Sequence, residues 1–127
     1  MKKDLETSED IKLLVDTFYA KVGKDPLIGP IFHGVLKDNW EPHLEKMYGF
    51  WETILFEVRK YSGSPFPPHR HLPLEQDHFN RWMFLFAETL DSMFEGEKTK
   101  EALWRAEKMA EMFLYKIKYL RGEITPE

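Results

Sequence analysis

Two histidines, a tyrosine and a tryptophan carry the chemistry that this sequence could perform: His69, His43, Tyr19 and Trp82. His69 closes the run from Gly63 through Pro65, Phe66, Pro67 and Pro68, and precedes Arg70, His71, Leu72 and Pro73. The prolines fix φ and remove N–H donors, so no α-helix passes through this stretch and a stiff loop aims the imidazole. If the flanking helices form an apolar slot, such a histidine is a metal ligand; otherwise it is a surface-loop residue without a task. His43 lies on an apolar helical stripe, one turn before Met47 and two before Phe50 and Trp51. There it is either a core residue with one ring hydrogen bond or a polar tip in a pocket. Tyr19 borders one stripe and Trp82 lies on another, and each polar tip needs a partner when buried. Polar tips from separate helices among aromatics compose a dry cavity with a few convergent donors, as small-molecule and cofactor sites do.

The elements that must position these groups are helices. The first is predicted to begin near Thr7 and Ser8, with Asp10 completing a capping box, and to carry Ile11, Leu14, Val15, Phe18 and Val22 inward. Gly23, Asp25 and Pro26 end it, and a short turn over Gly29, Pro30, Ile31 and Phe32 follows. Asp38 and Asn39 are expected to cap a second long helix running to about Lys60, with Trp40, His43, Met47, Phe50, Trp51, Ile54 and Val58 inward. Asp77 opens a third, lined by Phe79, Trp82, Met83, Phe86, Leu90 and Met93, which Gly96 breaks. Thr99 starts the fourth, with Leu103, Ala106, Met109, Ala110, Phe113, Ile117 and Leu120 inward and Gly122 past its end. Nothing alternates with period two over a useful length, so the reading is all-α, two helix pairs.

Composition narrows the function. With 127 residues the chain makes one domain, 1–127, with residues 1–7 and 122–127 expected to be frayed ends. The net charge of −4 with scattered Lys and Arg gives no basic stripe for nucleic acid or an anionic membrane. The absence of cysteine excludes disulfides, thiolate ligands and thiol catalysis. The opening MKKDLETSED lacks the apolar core of a signal peptide, and no apolar run is long enough to cross a bilayer, so a cytoplasmic location is expected. Aromatics make up 15% of the chain, which supplies many flat apolar surfaces for a domain of this size.

The order and spacing of these residues resemble the truncated haemoglobins of the third group, small globins whose helices pack two over two around a haem. The resemblance rests on Phe18 and Tyr19, on Gly29 to Phe32, on Trp40 with His43, and on Gly49, Phe50 and Trp51. It continues through Tyr61, Gly63 and Pro65, His69 with Leu72 and Pro73, and His78, Phe79 and Trp82, covering about residues 8–120. The glycine motif of the other truncated-globin groups is missing, which fits the third.

The resemblance implies haem b with His69 as the proximal iron ligand and His71 as a weaker alternative two residues on. Arg70 or His71 would approach a haem propionate, with Leu72 in the same cofactor-binding segment. Phe32 would pack on the porphyrin face, Phe50 and Trp51 would form the distal wall, and Met47 and Phe79 would line the cofactor. Tyr19, His43 and Trp82 would be the distal groups acting on a diatomic ligand, dioxygen or nitric oxide. A hydrogen bond to a charged acceptor is worth roughly 1.5–3 kcal/mol, so two donors would slow ligand release by on the order of a hundredfold. That grip suits redox chemistry on the ligand, with nitric oxide or peroxide detoxification, better than oxygen delivery. Turnover as a nitric-oxide dioxygenase or peroxidase would need a separate reductase, since no flavin or nicotinamide fingerprint is present. Imidazole is a weaker electron donor than thiolate, which counts against the peroxidase. The competing reading is a cofactor-free helical interaction module with an aromatic core. A zinc site from His69, His71 and His78 lacks the usual companion ligands.

Overall fold

The computed structural model describes residues 2–124, and five α-helices follow one another along them. They are α1 (Ser8–Lys24), α2 (Gly29–Leu36), α3 (Trp40–Phe56), α4 (Gln76–Met93) and α5 (Glu97–Leu120). A single 3-10 turn, Pro67–His69, lies between α3 and α4. The long helices form two pairs, α1 with α3 and α4 with α5, which meet through α1 against α4 and α3 against α5. This is the two-over-two arrangement that the sequence suggested. Among the described residues no helix is long and apolar enough to cross a membrane.

Where the pairs meet, aromatic rings fill the core. Phe18 lies edge-on to Tyr19, Trp82 and Phe86, at centroid distances of 4.9, 5.4 and 5.2 Å. Phe86 is itself stacked between Trp51 at 5.1 Å and Trp82 at 5.5 Å. Trp82 and Phe86 are one turn apart on α4, so helical spacing sets up one half of the stack and packing against α3 completes it. Burying a side chain such as Phe18 or Phe86 contributes about 1.5–3 kcal/mol, and edge-to-face geometry adds to it.

Several boundaries differ from the sequence reading, each for a local reason. The Gly29 turn is a complete eight-residue helix with Pro30 in its first turn. It is started by the Asp25 carboxylate, which accepts from the Leu27 and Ile28 N–H groups, both at 3.0 Å. The second long helix stops at Phe56 rather than Lys60, because Glu57 turns left-handed (φ 58°). The Thr53 hydroxyl then accepts from the N–H groups of Lys60 and Tyr61, folding the chain back onto α3. That return passes directly over Gly49, where an added Cβ would lie 2.9 Å from the Lys60 carbonyl oxygen. The last helix begins at Glu97, two residues before Thr99.

Residues 2–7 are not frayed. Leu5 is 1% exposed in the core, and the Lys3 backbone bridges to Phe94. The Asp4 carboxylate accepts from the Lys98 and Thr99 N–H groups and from the Thr99 hydroxyl, each at 2.8 Å, and so caps α5. Burial alone would raise the pKa of Asp4, yet these donors and the Leu5 N–H hold it below the usual carboxylate range. At the other end, the Gly122 and Glu123 N–H groups bond to the Tyr119 and Lys118 carbonyls; residues 125–127 of the expected frayed end lie outside the described part.

A candidate cofactor cleft

Between the two helix pairs lies a cleft of about 320 Å³ with a predominantly apolar lining. Its polar groups come from separate elements: Tyr19 from α1, His43 from α3, His69 from the proline-rich loop and Trp82 from α4.

His69 ends the 3-10 turn, and its Nδ1 lies 2.8 Å from the Pro65 carbonyl oxygen. A carbonyl only accepts, so Nδ1 carries the proton and Nε2 is left with a free lone pair. The ring is wedged 4.8 Å from that of Phe113 on α5. Burial lowers its pKa, more than the two backbone contacts at Pro65 and Phe66 raise it, so the imidazole is neutral at pH 7. A neutral imidazole, fixed in one tautomer by a backbone carbonyl, is how proteins present a histidine to a metal.

His43 faces the same cleft from α3, and its Nε2 is buried with no hydrogen-bond partner. Burial, then the neighbouring His69 and Lys46, push its pKa down to about 4, so it too is neutral at pH 7. Its ring stands perpendicular to that of Tyr19 at 5.0 Å. Tyr19 is buried, which raises the pKa of its hydroxyl and keeps it protonated as a donor. An orphaned buried nitrogen costs about 1–3 kcal/mol, and that cost is relieved when a ligand or water occupies the cleft.

The remaining expected site residues divide. Phe32, Met47, Phe50, Trp51, Phe79 and Trp82 all line the cleft. Arg70 and His71 are exposed and Leu72 packs against the cluster around Phe66, so none of these three is among the lining residues. The 3-10 turn explains this, since the chain rotates away after His69 as the Leu72 N–H bonds back to the His69 carbonyl. Lys46 is a polar lining residue that the sequence did not single out, and Tyr61 and His78, named there only within the motifs and the zinc alternative, line the cleft as well. Lys46 lies three residues after His43, on the same face of α3, and that spacing could have revealed it. Tyr61 is delivered by the fold-back at Thr53 and lies edge-on to Phe50 at 5.3 Å.

Two crossed helix pairs enclosing an apolar cleft, with one histidine aimed in from a loop, define a helical cofactor-binding protein. Residues 4–115 match the family model for bacterial-like globins, and the chain belongs to that family. It is 36% identical over 123 residues to a group 3 truncated hemoglobin of Campylobacter jejuni, covering 91% of this chain and 97% of the relative. The crystal structure of a group III truncated hemoglobin from the same organism superposes with a TM-score of 0.84 at 33% identity. That match covers 92% of this chain and 95% of the other. The fold is thus a third-group truncated globin, and membership implies haem-based ligand binding.

Proposed function

We propose that the cleft takes haem b, whose iron His69 Nε2 would hold, and that Tyr19, Trp82 and His43 would act on a diatomic ligand bound there. The observation that carries this reading is the pairing of His69, its tautomer set by Pro65, with the unpartnered Nε2 of His43 in one apolar cleft. The residues present fit such a group: a neutral imidazole for the metal, apolar and aromatic walls for the ring, and Lys46 at the lining as a cation for a propionate. A cofactor-free module would have no reason to leave a buried nitrogen unpaired. A zinc centre from His69, His71 and His78 is disfavoured by the exposure of His71.

When bound, haem would supply a redox-active iron able to take up a diatomic ligand. The Tyr19 hydroxyl, kept protonated by burial, and the Trp82 N–H, oriented by the Phe86 stack, offer aimed donors in a low-dielectric cleft. His43 adds a neutral ring beside Tyr19 as a secondary donor or gate. Phe32, Phe50 and Trp51 keep water out. Such donors stabilise negative charge on a diatomic ligand and slow its loss, which favours consumption over delivery.

The reaction that these donors support best is nitric-oxide consumption in the cytoplasm, in which dioxygen and nitric oxide would combine to nitrate, the one electron required being supplied by a separate reductase. Two measurements test the assignment. His69→Ala should lose stable haem uptake, read by the pyridine-haemochrome spectrum, while His71→Ala keeps it; the reverse pattern would move the ligand to His71. Mixing the oxygenated protein with nitric oxide in a stopped-flow instrument should give nitrate and ferric haem faster than oxygen is released. Conversion limited by oxygen release would favour storage or peroxide chemistry.

A further inference from the structure

The side of α5 turned away from the core presents aromatic rings to solvent. Trp104 is 55% exposed and Tyr115 50%, and Met112 and Tyr119 are exposed beside them. The buried stripe of the same helix, Ala102, Ala106, Ala110, Phe113 and Ile117, faces the other way. Across the outer side, Glu101, Trp104, Lys108, Glu111, Tyr115 and Lys118 succeed one another at alternating steps of three and four residues. That is the spacing of a seam between two packed helices. The order is acid, aromatic, base, acid, aromatic, base. Reversed, it places a base wherever an acid stood, an acid wherever a base stood, and an aromatic on each aromatic.

We propose that α5 pairs antiparallel with α5 of a second copy of this chain, forming a two-fold dimer across this seam. In that register Trp104 meets the partner's Tyr115, Lys108 meets the partner's Glu111, and Glu101 meets the partner's Lys118. A parallel pairing would set lysine on lysine and glutamate on glutamate at positions 108 and 111, so charge selects the antiparallel orientation. The central charges are free to change partner: Lys108 and Glu111 are more than half exposed and share only an i,i+3 contact at 3.5 Å. Glu101 is already held by Lys98 and Arg105, both at 3.2 Å, so the outer pair adds little. Affinity comes from the aromatic layers, as buried Trp and Tyr supply it at interfaces. There is room for the indole, because a groove of about 890 Å³ between α4 and α5, lined by Phe79, Leu114 and Tyr115, opens level with the partner's Trp104. Trp104, Lys108, Glu111 and Tyr115 lie outside the cofactor cleft, so the pairing does not depend on how that cleft is read.

Sedimentation velocity of the full chain over a concentration series tests the pairing. The wild-type protein should pass from one to two chains per particle as concentration rises, and a particle that stays monomeric overturns the proposal. Lys108→Glu and Glu111→Lys, each at an exposed position, should each weaken association by about tenfold or more, since like charges then face each other at the centre. An equimolar mixture of these two variants should associate as the wild type does, and so should the double variant Lys108→Glu with Glu111→Lys. A mixture that associates more tightly than the wild type would mean parallel pairing, and a double variant that stays monomeric would mean that the two charges do not meet. Association unmoved by either single change would place the interface elsewhere, and each of these three results overturns the proposal. Trp104→Ala should weaken association by about tenfold or more while far-UV circular dichroism stays unchanged. Undiminished association of that variant would overturn the proposal as well.

Discussion

The two sides of the cleft are held by different physics. On the His43 side, Tyr19, Trp82 and their neighbours are fixed by packing: Trp51, Phe86 and Trp82 stack while Phe18 closes the edge. On the His69 side, one 3-10 turn between prolines and one hydrogen bond to the Pro65 carbonyl aim the ring. The first wall draws rigidity from buried area, which is part of global stability. The second draws it from restricted φ, which acts largely through the unfolded chain. Aromatic-wall substitutions should therefore show in folding, and loop substitutions in the site.

The largest expected effect breaks the packed wall. Phe86→Ala removes the ring between two tryptophans and should cost about 3–5 kcal/mol in urea unfolding of the apoprotein. By contrast, Pro67→Ala should cost no more than about 1 kcal/mol in the same assay. It should nevertheless loosen His69 and accelerate haem loss to an acceptor globin. Equal stability losses for the two variants would erase the distinction.

Next in size is the ion pair that joins the α1–α2 turn to α4. The Asp25 carboxylate, 5% exposed, accepts from Arg81 Nε at 2.5 Å and from two backbone N–H groups. Burial pushes its pKa up, but the Ile28 N–H, Arg81 and the Leu27 N–H more than reverse this, leaving it lowered from 3.8. A depressed carboxylate contributes stability above its unfolded pKa and loses it as pH falls through the folded one. Asp25→Asn should cost roughly 1.5–3 kcal/mol at pH 7, and its deficit against wild type should shrink below pH 4. A deficit independent of pH would mean that the charge contributes nothing.

Much of the architecture was legible because helical periodicity and stop signals are local. The capping box of Thr7 and Asp10 forms as read, with the Asp10 N–H donating to the Thr7 hydroxyl at 3.2 Å. What escaped depends on contacts distant in sequence. Nothing local announces that Asp4 caps a helix more than ninety residues away, or that Leu5 joins the core. Gly96 shows the same limit. It reads as a helix breaker, yet its φ of 138° and the Asp4 side-chain carbon only 2.4 Å from where a Cβ would stand make it the seat of that cap. Around the cleft, His69 and His43 fall among the lining residues, where the resemblance and the helical stripe pointed, while Arg70 and His71 lie outside that lining, because spacing along a loop does not reveal which way a 3-10 turn rotates the next residues.

A subtler test of the packed wall deletes one oxygen. Tyr19→Phe keeps the ring and its edge contacts with Phe18, Phe32 and His43. Fold stability should therefore stay within about 0.5 kcal/mol, as for changes that leave packing intact. Oxygen dissociation should speed up by about tenfold, corresponding to a hydrogen bond worth ~1.4 kcal/mol. An unchanged rate would remove Tyr19 from the donors and leave that role to Trp82.

The smallest expected effect is also the one with an unusual sign. His43 Nε2 is buried without a partner, and with its pKa pushed down by burial the ring gains no relief from protonation at neutral pH. Leucine has nearly the same volume and no polar atom, so His43→Leu removes a desolvation penalty while keeping the packing against Tyr19. The apoprotein should become more stable by about 1 kcal/mol, measured by urea unfolding at pH 7. Ligand binding should respond differently. A residue near the start of α3 acts on passage more than on retention, so ligand association should change more than dissociation. A dominant change in dissociation would make His43 an anchor alongside Tyr19. A loss of stability would mean that His43 is simply a core residue, and that the contrast between a wall built for packing and a group kept for function fails at this position.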